Sequence, residues 1–228
     1  VTITLAVLDM AGTTVLDGGL VERAFTAAVG AVGVAPDAPA YPGMLDYVRA
    51  TMGESKITVF RALLDNDEDR AQTANQAFEQ AYADLVDAGH CDPVPGAAEA
   101  ITRLRDNGIK VALGTGFAAP TRDRLLAGLG WENLVDLSLT PAEAGRGRPY
   151  PDLVLTAVLR LGITDVRQVA VVGDTTADVH SGLRAGATVV AGVLTGAHDR
   201  AALTAAGATH VLDSVRELPD LLIKPESR

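Results

Sequence analysis

LAVLDMAGTTV, residues 5–15, is an apolar run that ends on an aspartate and passes straight into a glycine–threonine turn. A nearly unbroken apolar run marks a strand buried on both faces, as in a parallel sheet. The turn places Asp9 at that strand's carboxyl end, where open parallel sheets bind their ligands. Two positions on stands Ala11, which cannot ionise. The stretch therefore offers one carboxylate and raises the question of what replaces a second.

Working outward, the same rhythm recurs. Apolar, β-branched runs lie at residues 2–8, 109–113, 134–139, 168–172, 188–193 and 209–212. Helical patterns separate them at 96–106, 119–129, 152–161, 176–185 and 200–206. Alternating strand and helix predicts an α/β fold, a Rossmann-like parallel sheet with helices on both faces. From about residue 17 to 92 the rhythm stops. Helical spacing continues there at 20–32, 43–52, 55–64 and 68–88, with no strand between. Turn residues mark both edges, Asp17-Gly18-Gly19 and Asp92-Pro93-Val94-Pro95-Gly96. The expected organisation is a core of residues 1–16 and 95–228, with a helical unit of residues 17–94 inserted after the first strand and hinged at those edges.

The composition narrows the function. At 228 residues the chain suits one domain, or one domain with an insertion. Its net charge of −10 argues against nucleic acid or an acidic membrane as partner. A small anionic substrate remains open, because a pocket sets its own local field. A lone cysteine, Cys91, fits a reducing compartment, and no apolar run has membrane-spanning length. A cytoplasmic, soluble protein is expected.

The loops after the strands carry the chemistry. After the first come Asp9 and Ala11-Gly12-Thr13-Thr14; after the second, Gly114-Thr115-Gly116; after the fourth, Gly173-Asp174-Thr175 and Asp178. Between the third and fourth lies Gly145-Arg146-Gly147-Arg148-Pro149. Carboxylates, a hydroxyl and an arginine on one rim suit phosphoryl transfer: oxygen ligands hold Mg2+, an arginine fork and loop N–H groups stabilise phosphoryl charge, and an aspartate can act as nucleophile. Taken singly, Asp9 reads first as a turn former or helix cap. Asp178, inside a helix start, divides between capping or supporting a metal and direct contact with it. Thr115 alone reads as a turn hydroxyl, and Arg146 as a solvated surface charge. The histidines, at 90, 180, 198 and 210, form no ligand-spaced cluster.

Together these four loops resemble the haloacid dehalogenase superfamily of phosphohydrolases, and the insertion resembles its small helical cap. Most members carry a second aspartate where this chain has Ala11. The branch without it is similar to phosphonoacetaldehyde hydrolase, which cleaves a carbon–phosphorus bond. Three further motifs match that branch: GRPYP at 147–151, VGDTTAD at 172–178 and MGESKI at 52–57. The resemblance implies Asp9 as nucleophile, Mg2+ on Asp9, the Ala11 carbonyl oxygen and Asp174, and phosphoryl contacts from Thr115, Gly116 and Arg148. It gives Thr13 and Asp178 supporting roles, and it places Met52 and Phe117 on the substrate side. A homodimer through the cap is also implied. Lys56 becomes the lysine that forms a Schiff base with the substrate aldehyde. Only three lysines occur, at 56, 110 and 224, so one at this position is unlike random decoration.

Ala11 and Lys56 then explain each other. Breaking a C–P bond expels a carbon fragment, and an iminium on Lys56 accepts the bonding electrons, so no leaving oxygen needs a proton. The amine must be neutral to attack, which calls for a lowered pKa. Two positions depart from the branch: Val59 stands where a histidine follows the lysine by one turn, and Gly114-Thr115-Gly116-Phe117 replaces TTGY. Both touch the substrate side. Three readings follow: a phosphonate hydrolase, a phosphomonoesterase of the same superfamily, and a binding protein that keeps the site without turnover.

Overall fold

The computed structural model describes residues 1–223. Lys224 and the last residues assigned to the core lie outside the described residues. Six strands form one parallel sheet: β1 (Leu5–Asp9), β2 (Lys110–Gly114), β3 (Leu137–Leu139), β4 (Val169–Gly173), β5 (Val189–Val193) and β6 (His210–Leu212). Their order is β3-β2-β1-β4-β5-β6, every neighbour pair parallel. The helices are α1 (Leu20–Ala31), α2 (Tyr41–Ala50), α3 (Lys56–Leu63), α4 (Glu68–Asp87), α5 (Ala97–Asp106), α6 (Ala119–Leu129), α7 (Pro141–Ala144), α8 (Asp152–Arg160), α9 (Thr176–Ala185), α10 (Arg200–Ala205) and α11 (Leu218–Leu222). The α/β fold with a helical cap inserted after the first strand is the one expected.

β1 shows why its apolar run is unbroken. Ala6 and Leu8 join one hydrophobic cluster, with Ile101 and Leu104 of α5, while Leu5 and Val7 join another, with Leu153 and Val154 of α8. Alternate side chains point to opposite faces of a strand, so a strand covered on both faces has no polar side. β1 sits between β2 and β4, and the chain leaves it first to one side and later to the other. That reversal opens the crevice beyond its carboxyl end. The register pairs Asp9 with Gly114 and Leu8 with Val172, which brings the loops after β1, β2 and β4 to one level. β3 is shorter than the sequence run: the Asp136 carboxylate accepts the Val111 N–H at 2.8 Å, which fixes the chain just before the strand begins.

The two segments joining the insertion to the core run side by side. Val15 and Pro93 form an antiparallel bridge, with Leu16 N–H donating to Asp92 O and Val94 N–H to Thr14 O, each at 2.9 Å. Gly18 and Gly19 on one segment and Gly96 on the other have positive φ, which glycine adopts without a Cβ penalty. Inside the insertion an aromatic row holds the helices together. Phe25 of α1 stacks on Phe60 of α3 with centroids 6.2 Å apart, Phe60 meets Phe78 of α4 at 6.0 Å, and Phe78 meets Tyr82 at 6.1 Å. Phe117, from the core loop after β2, closes the row at 4.4 Å from Tyr82. Insertion and core thus share one apolar cluster.

Phe25 is buried at the opposite end of this row from Phe117 and does not line the cleft that holds Asp9. Truncating such a ring removes its burial and leaves a cavity. Phe25→Ala should lower the unfolding free energy by about 3–5 kcal/mol, read as a shift in urea midpoint; a change within about 0.5 kcal/mol, as at surface sites, would show that the row does not hold the insertion.

Candidate active site

A cleft of about 460 Å³ opens at the carboxyl ends of β1, β2 and β4. Asp9, Ala11, Met52, Lys56, Thr115, Gly116, Phe117, Arg148 and Asp174 line it. The structure therefore brings together every candidate residue except Thr13 and Asp178, which stand directly behind. Thr13 donates its hydroxyl to Asp174 Oδ1 at 3.1 Å. Asp178 sits on the first turn of α9, where its Oδ2 accepts the N–H and hydroxyl of Thr175 at 3.1 and 2.6 Å, and Thr175 caps Asp178 in return. Its other oxygen meets Arg148. Asp178 thus caps α9 and holds Arg148 at once.

Three carboxylates, of Asp9, Asp174 and Asp178, place oxygens within 4.8 Å of one another, all buried. Arg148 bridges Asp9 and Asp178 through Nη1, and its buried Nε has no partner among the described residues. Asp174 lies in a cradle of glycines. A Cβ on Gly12 would come within 2.4 Å of it and one on Gly196 within 2.0 Å, so both positions must lack one. Burial raises the Asp9 carboxyl to about 6, with Arg148 opposing and Asp178 reinforcing the rise. Burial likewise pushes Asp174 well above the usual range, aided by Asp9 and Asp178. One guanidinium among three buried carboxylates leaves an excess of negative charge, and an all-oxygen donor set of this kind fits a hard divalent cation such as Mg2+.

Lys56 begins α3 and projects into the same cleft. It is only 8% exposed, and among the described residues its amine has no hydrogen bond or ion pair. Nζ lies 5.8 Å from the Phe78 ring centre and 5.7 Å from that of Phe117. Burial lowers its pKa and Arg148 acts in the same direction, against Asp9, Glu79 and Asp17. Lys110, by contrast, donates to Leu161 O at 2.7 Å on the exposed side of the core. The loop before Lys56 is docked on the core: a Cβ on Gly53 would lie 2.5 Å from Thr175 Oγ1, one on Gly116 2.6 Å from Glu54 O, and one on Gly147 2.9 Å from Ser55. These close approaches hold Lys56 over the rim. Thr115 is buried, accepting the Phe117 N–H at 3.2 Å and donating its own N–H to Leu139 O.

The sequence pattern misses a fifth loop, Thr195–Ala197 after β5. Ala197 N–H donates to Asp174 Oδ2 at 2.7 Å, and the Thr195 hydroxyl donates to Gly12 O at 2.7 Å. The same rule that selects residues after β1, β2 and β4 applies here, and the signal was the glycine turn that follows an apolar strand. Arg146 is exposed, as read, but paired with Asp152 at 2.8 Å and set over the Tyr150 ring. Among the described residues no helix is long and apolar enough to cross a membrane.

Comparison with known proteins agrees with this geometry. A model of the haloacid dehalogenase-like hydrolase family matches residues 3–186. The phosphonoacetaldehyde hydrolase of Parabacteroides distasonis is 30% identical over 212 residues, covering 81% of this chain and 79% of its own. That of Bacteroides fragilis is 28% identical, covering 95% and 94%. The crystal structure of a phosphonoacetaldehyde hydrolase-like protein from Oleispira antarctica shares the fold, with a TM-score of 0.83 at 24% identity, covering 97% of this chain and 92% of that one.

Arg148→Met would leave three buried carboxylates without a cation. With a chelator present, this variant should lose about 3–5 kcal/mol of stability at neutral pH, the cost of breaking a buried charge network. Carboxyls whose folded pKa is raised bind more protons folded than unfolded, so their penalty grows as pH rises. The deficit against wild type should therefore be larger at pH 8 than at pH 5, as urea denaturation at the two values would show.

Proposed function

We propose that this chain, which belongs to the haloacid dehalogenase-like hydrolases, cleaves the carbon–phosphorus bond of a small phosphonate aldehyde, phosphonoacetaldehyde or a near relative. The observation that carries this reading is Lys56, an unpartnered amine buried in the same cleft as Asp9 while Ala11 offers no acid. The curated relatives bearing the name phosphonoacetaldehyde hydrolase support it.

The mechanism follows from the residues. The Lys56 amine adds to the substrate carbonyl, and loss of water leaves an iminium. Asp9 attacks phosphorus; the C–P bonding electrons move to the iminium and leave as an enamine. Water then cleaves the aspartyl phosphate. The enamine takes a proton on carbon, and hydrolysis of the resulting iminium frees the aldehyde and Lys56. A phosphoryl group here meets the Thr115 hydroxyl, the Gly116 N–H and Arg148, whose unpaired Nε is a donor still to be satisfied. Mg2+ held by Asp9, the Ala11 carbonyl oxygen and Asp174 would neutralise charge on that group. Met52 and Phe117 flank the carbon fragment and exclude water. The segment 17–94 acts as the cap that brings Lys56 to the core. An ester substrate would need a proton on its leaving oxygen, and position 11 supplies none.

Two measurements test the reading. Phosphate release from phosphonoacetaldehyde should be blocked irreversibly by borohydride, with the added mass on Lys56. Lys56→Met should lower that release by roughly 10³-fold or more, as expected when a covalent step is removed. Full activity in this variant would sink the Schiff-base mechanism. Independently, saturating Mg2+ should raise the melting temperature of the wild type by roughly 5–10 °C, and Asp174→Asn should remove most of that rise; an equal rise in both would place the ion elsewhere.

A further inference from the structure

Imine chemistry at a lysine needs a proton carrier, and α3 supplies none. One turn after Lys56 stands Val59, buried in the apolar cluster of the insertion. The carrier must come from another element. Asp9 and Arg148 are engaged with each other on the phosphoryl side.

On α4, next to Phe78, lies Glu79, a partly buried carboxylate that the phosphoryl machinery leaves unused. It reaches the start of α6. Oε1 accepts the Ala118 N–H at 3.1 Å, and Oε2 accepts the Thr121 hydroxyl at 2.5 Å. Ala118 has no side-chain cap of its own, so Glu79 caps α6 from a different element. Glu79 also lines a second cleft, of about 470 Å³, on the other side of the lysine. Lys56, Gly116, Phe117 and Arg148 line both clefts, so they form the wall between them. Lys56 is therefore approached from the Asp9 side by one cleft and from the Glu79 side by the other. The same second cleft contains Asn75, whose buried Oδ1 has no partner among the described residues, an acceptor suited to a water molecule.

We propose that Glu79 carries the proton in formation and hydrolysis of the Lys56 imine. The inference rests on the covalent role given to Lys56 above. The steps balance as follows. The amine adds to the carbonyl carbon, forming the N–C bond and sending the carbonyl pair to oxygen. The ammonium proton so created shifts to that oxygen. Protonated Glu79 then gives its proton to the resulting hydroxyl, the C–O bond breaks, and water leaves with iminium and carboxylate remaining. Hydrolysis after C–P cleavage runs this in reverse and returns the proton to Glu79. Thr121 suits both states, since a hydroxyl donates to the carboxylate and accepts from the acid. Burial raises the Glu79 carboxyl, which favours the protonated form, while Lys56 acts against it. Of the other charges nearby, Arg61 is paired with Glu68 and Arg146 with Asp152 in the second cleft, Arg124 of α6 with Asp87, and Asp17 in the first cleft accepts the Gly19 and Val21 N–H groups. Glu54 also lines the second cleft, its carboxyl raised by burial and opposed by Lys56, and Glu79→Gln leaves it in place. Arg148 shares the cleft wall and is held by Asp9 and Asp178.

The test is the rate of borohydride-trapped adduct at Lys56, with phosphonoacetaldehyde as probe, followed against pH. In the wild type the rate should fall as pH rises through the Glu79 carboxyl. Glu79→Gln, which keeps an acceptor for Ala118 and a partner for Thr121, should be slower by about 10²-fold and lack that limb. Thr121→Val removes the hydroxyl contact from α6 but keeps the carboxyl and its bond from the Ala118 N–H, and should retain the limb. In Glu79→Ala, added formate should restore a large part of the rate, a result that a merely structural role would not give. Wild-type rate and pH profile in Glu79→Gln, or no formate rescue, would overturn the proposal. Absence of any Lys56 adduct in the wild type is a different result: it overturns the covalent-lysine reading itself, and the role of Glu79 with it.

Discussion

Three carboxylates buried within 4.8 Å of one another, with one guanidinium between them, make the constraint on which this structure turns. Taking such charges out of water costs several kcal/mol each unless every oxygen finds a partner. The surrounding chain is arranged to supply those partners. Asp174 receives the Thr13 hydroxyl and the Ala197 N–H, from loops on either side of it. Asp178 is drawn into the cap of α9, and the glycines at 12 and 196 leave room that any side chain would fill. The parallel register of β1 with β2 and β4 brings these loops to the same level. The negative charge that remains is the reason a divalent cation suits the site.

Seen from this rim, the alanine at position 11 and the lysine at position 56 form one chemical choice. A fourth carboxylate at position 11 would deepen the excess of charge and offer an acid for a leaving oxygen. A lysine brought in from the insertion offers an electron sink and a positive partner. Under the proposed reaction the electrons of the broken bond move toward nitrogen, so the group that replaces the acid never has to donate a proton to carbon or oxygen in the bond-breaking step. The Lys56 side chain is largely buried, while its amine faces the cleft with no hydrogen-bond partner among the described residues. The proposed reaction gives this a reason, since the amine must be neutral to attack a carbonyl.

How much of this could be read from the chain differs from element to element. Runs such as residues 168–172 and 188–193 announced strands because both faces of the sheet are covered, and α6 and α9 begin and end where their patterns do. The residues after β1, β2 and β4 were legible because a fold rule says where ligands bind. Lys56 was legible only through family resemblance; its spacing alone says solvated surface. Glu79 was not legible at all. It sits in a long helix among other charges, and its partners Ala118 and Thr121 are about 40 positions away. Short elements such as α7 and α11 depend on tertiary packing more than on local pattern.

The docking of the insertion and the chemistry proposed for Lys56 depend on the same contacts. The low pKa of the amine comes from burial, and burial comes from the approach of residues 53–55 to Thr175, Gly116 and Gly147. The aromatic row reinforces this, because Phe117 of the core completes a cluster whose other members belong to the insertion. With the loop lifted away, the burial that lowers the Lys56 pKa would be lost, and the ammonium form would be favoured more strongly. The same approach carries Glu79 onto α6 and so onto the far side of the lysine. The residues proposed as nucleophile, electron sink and proton carrier come from different parts of the chain and meet in this docked arrangement. Under the proposed reaction, this arrangement sets the Lys56 amine and the Asp9 carboxylate in one cleft.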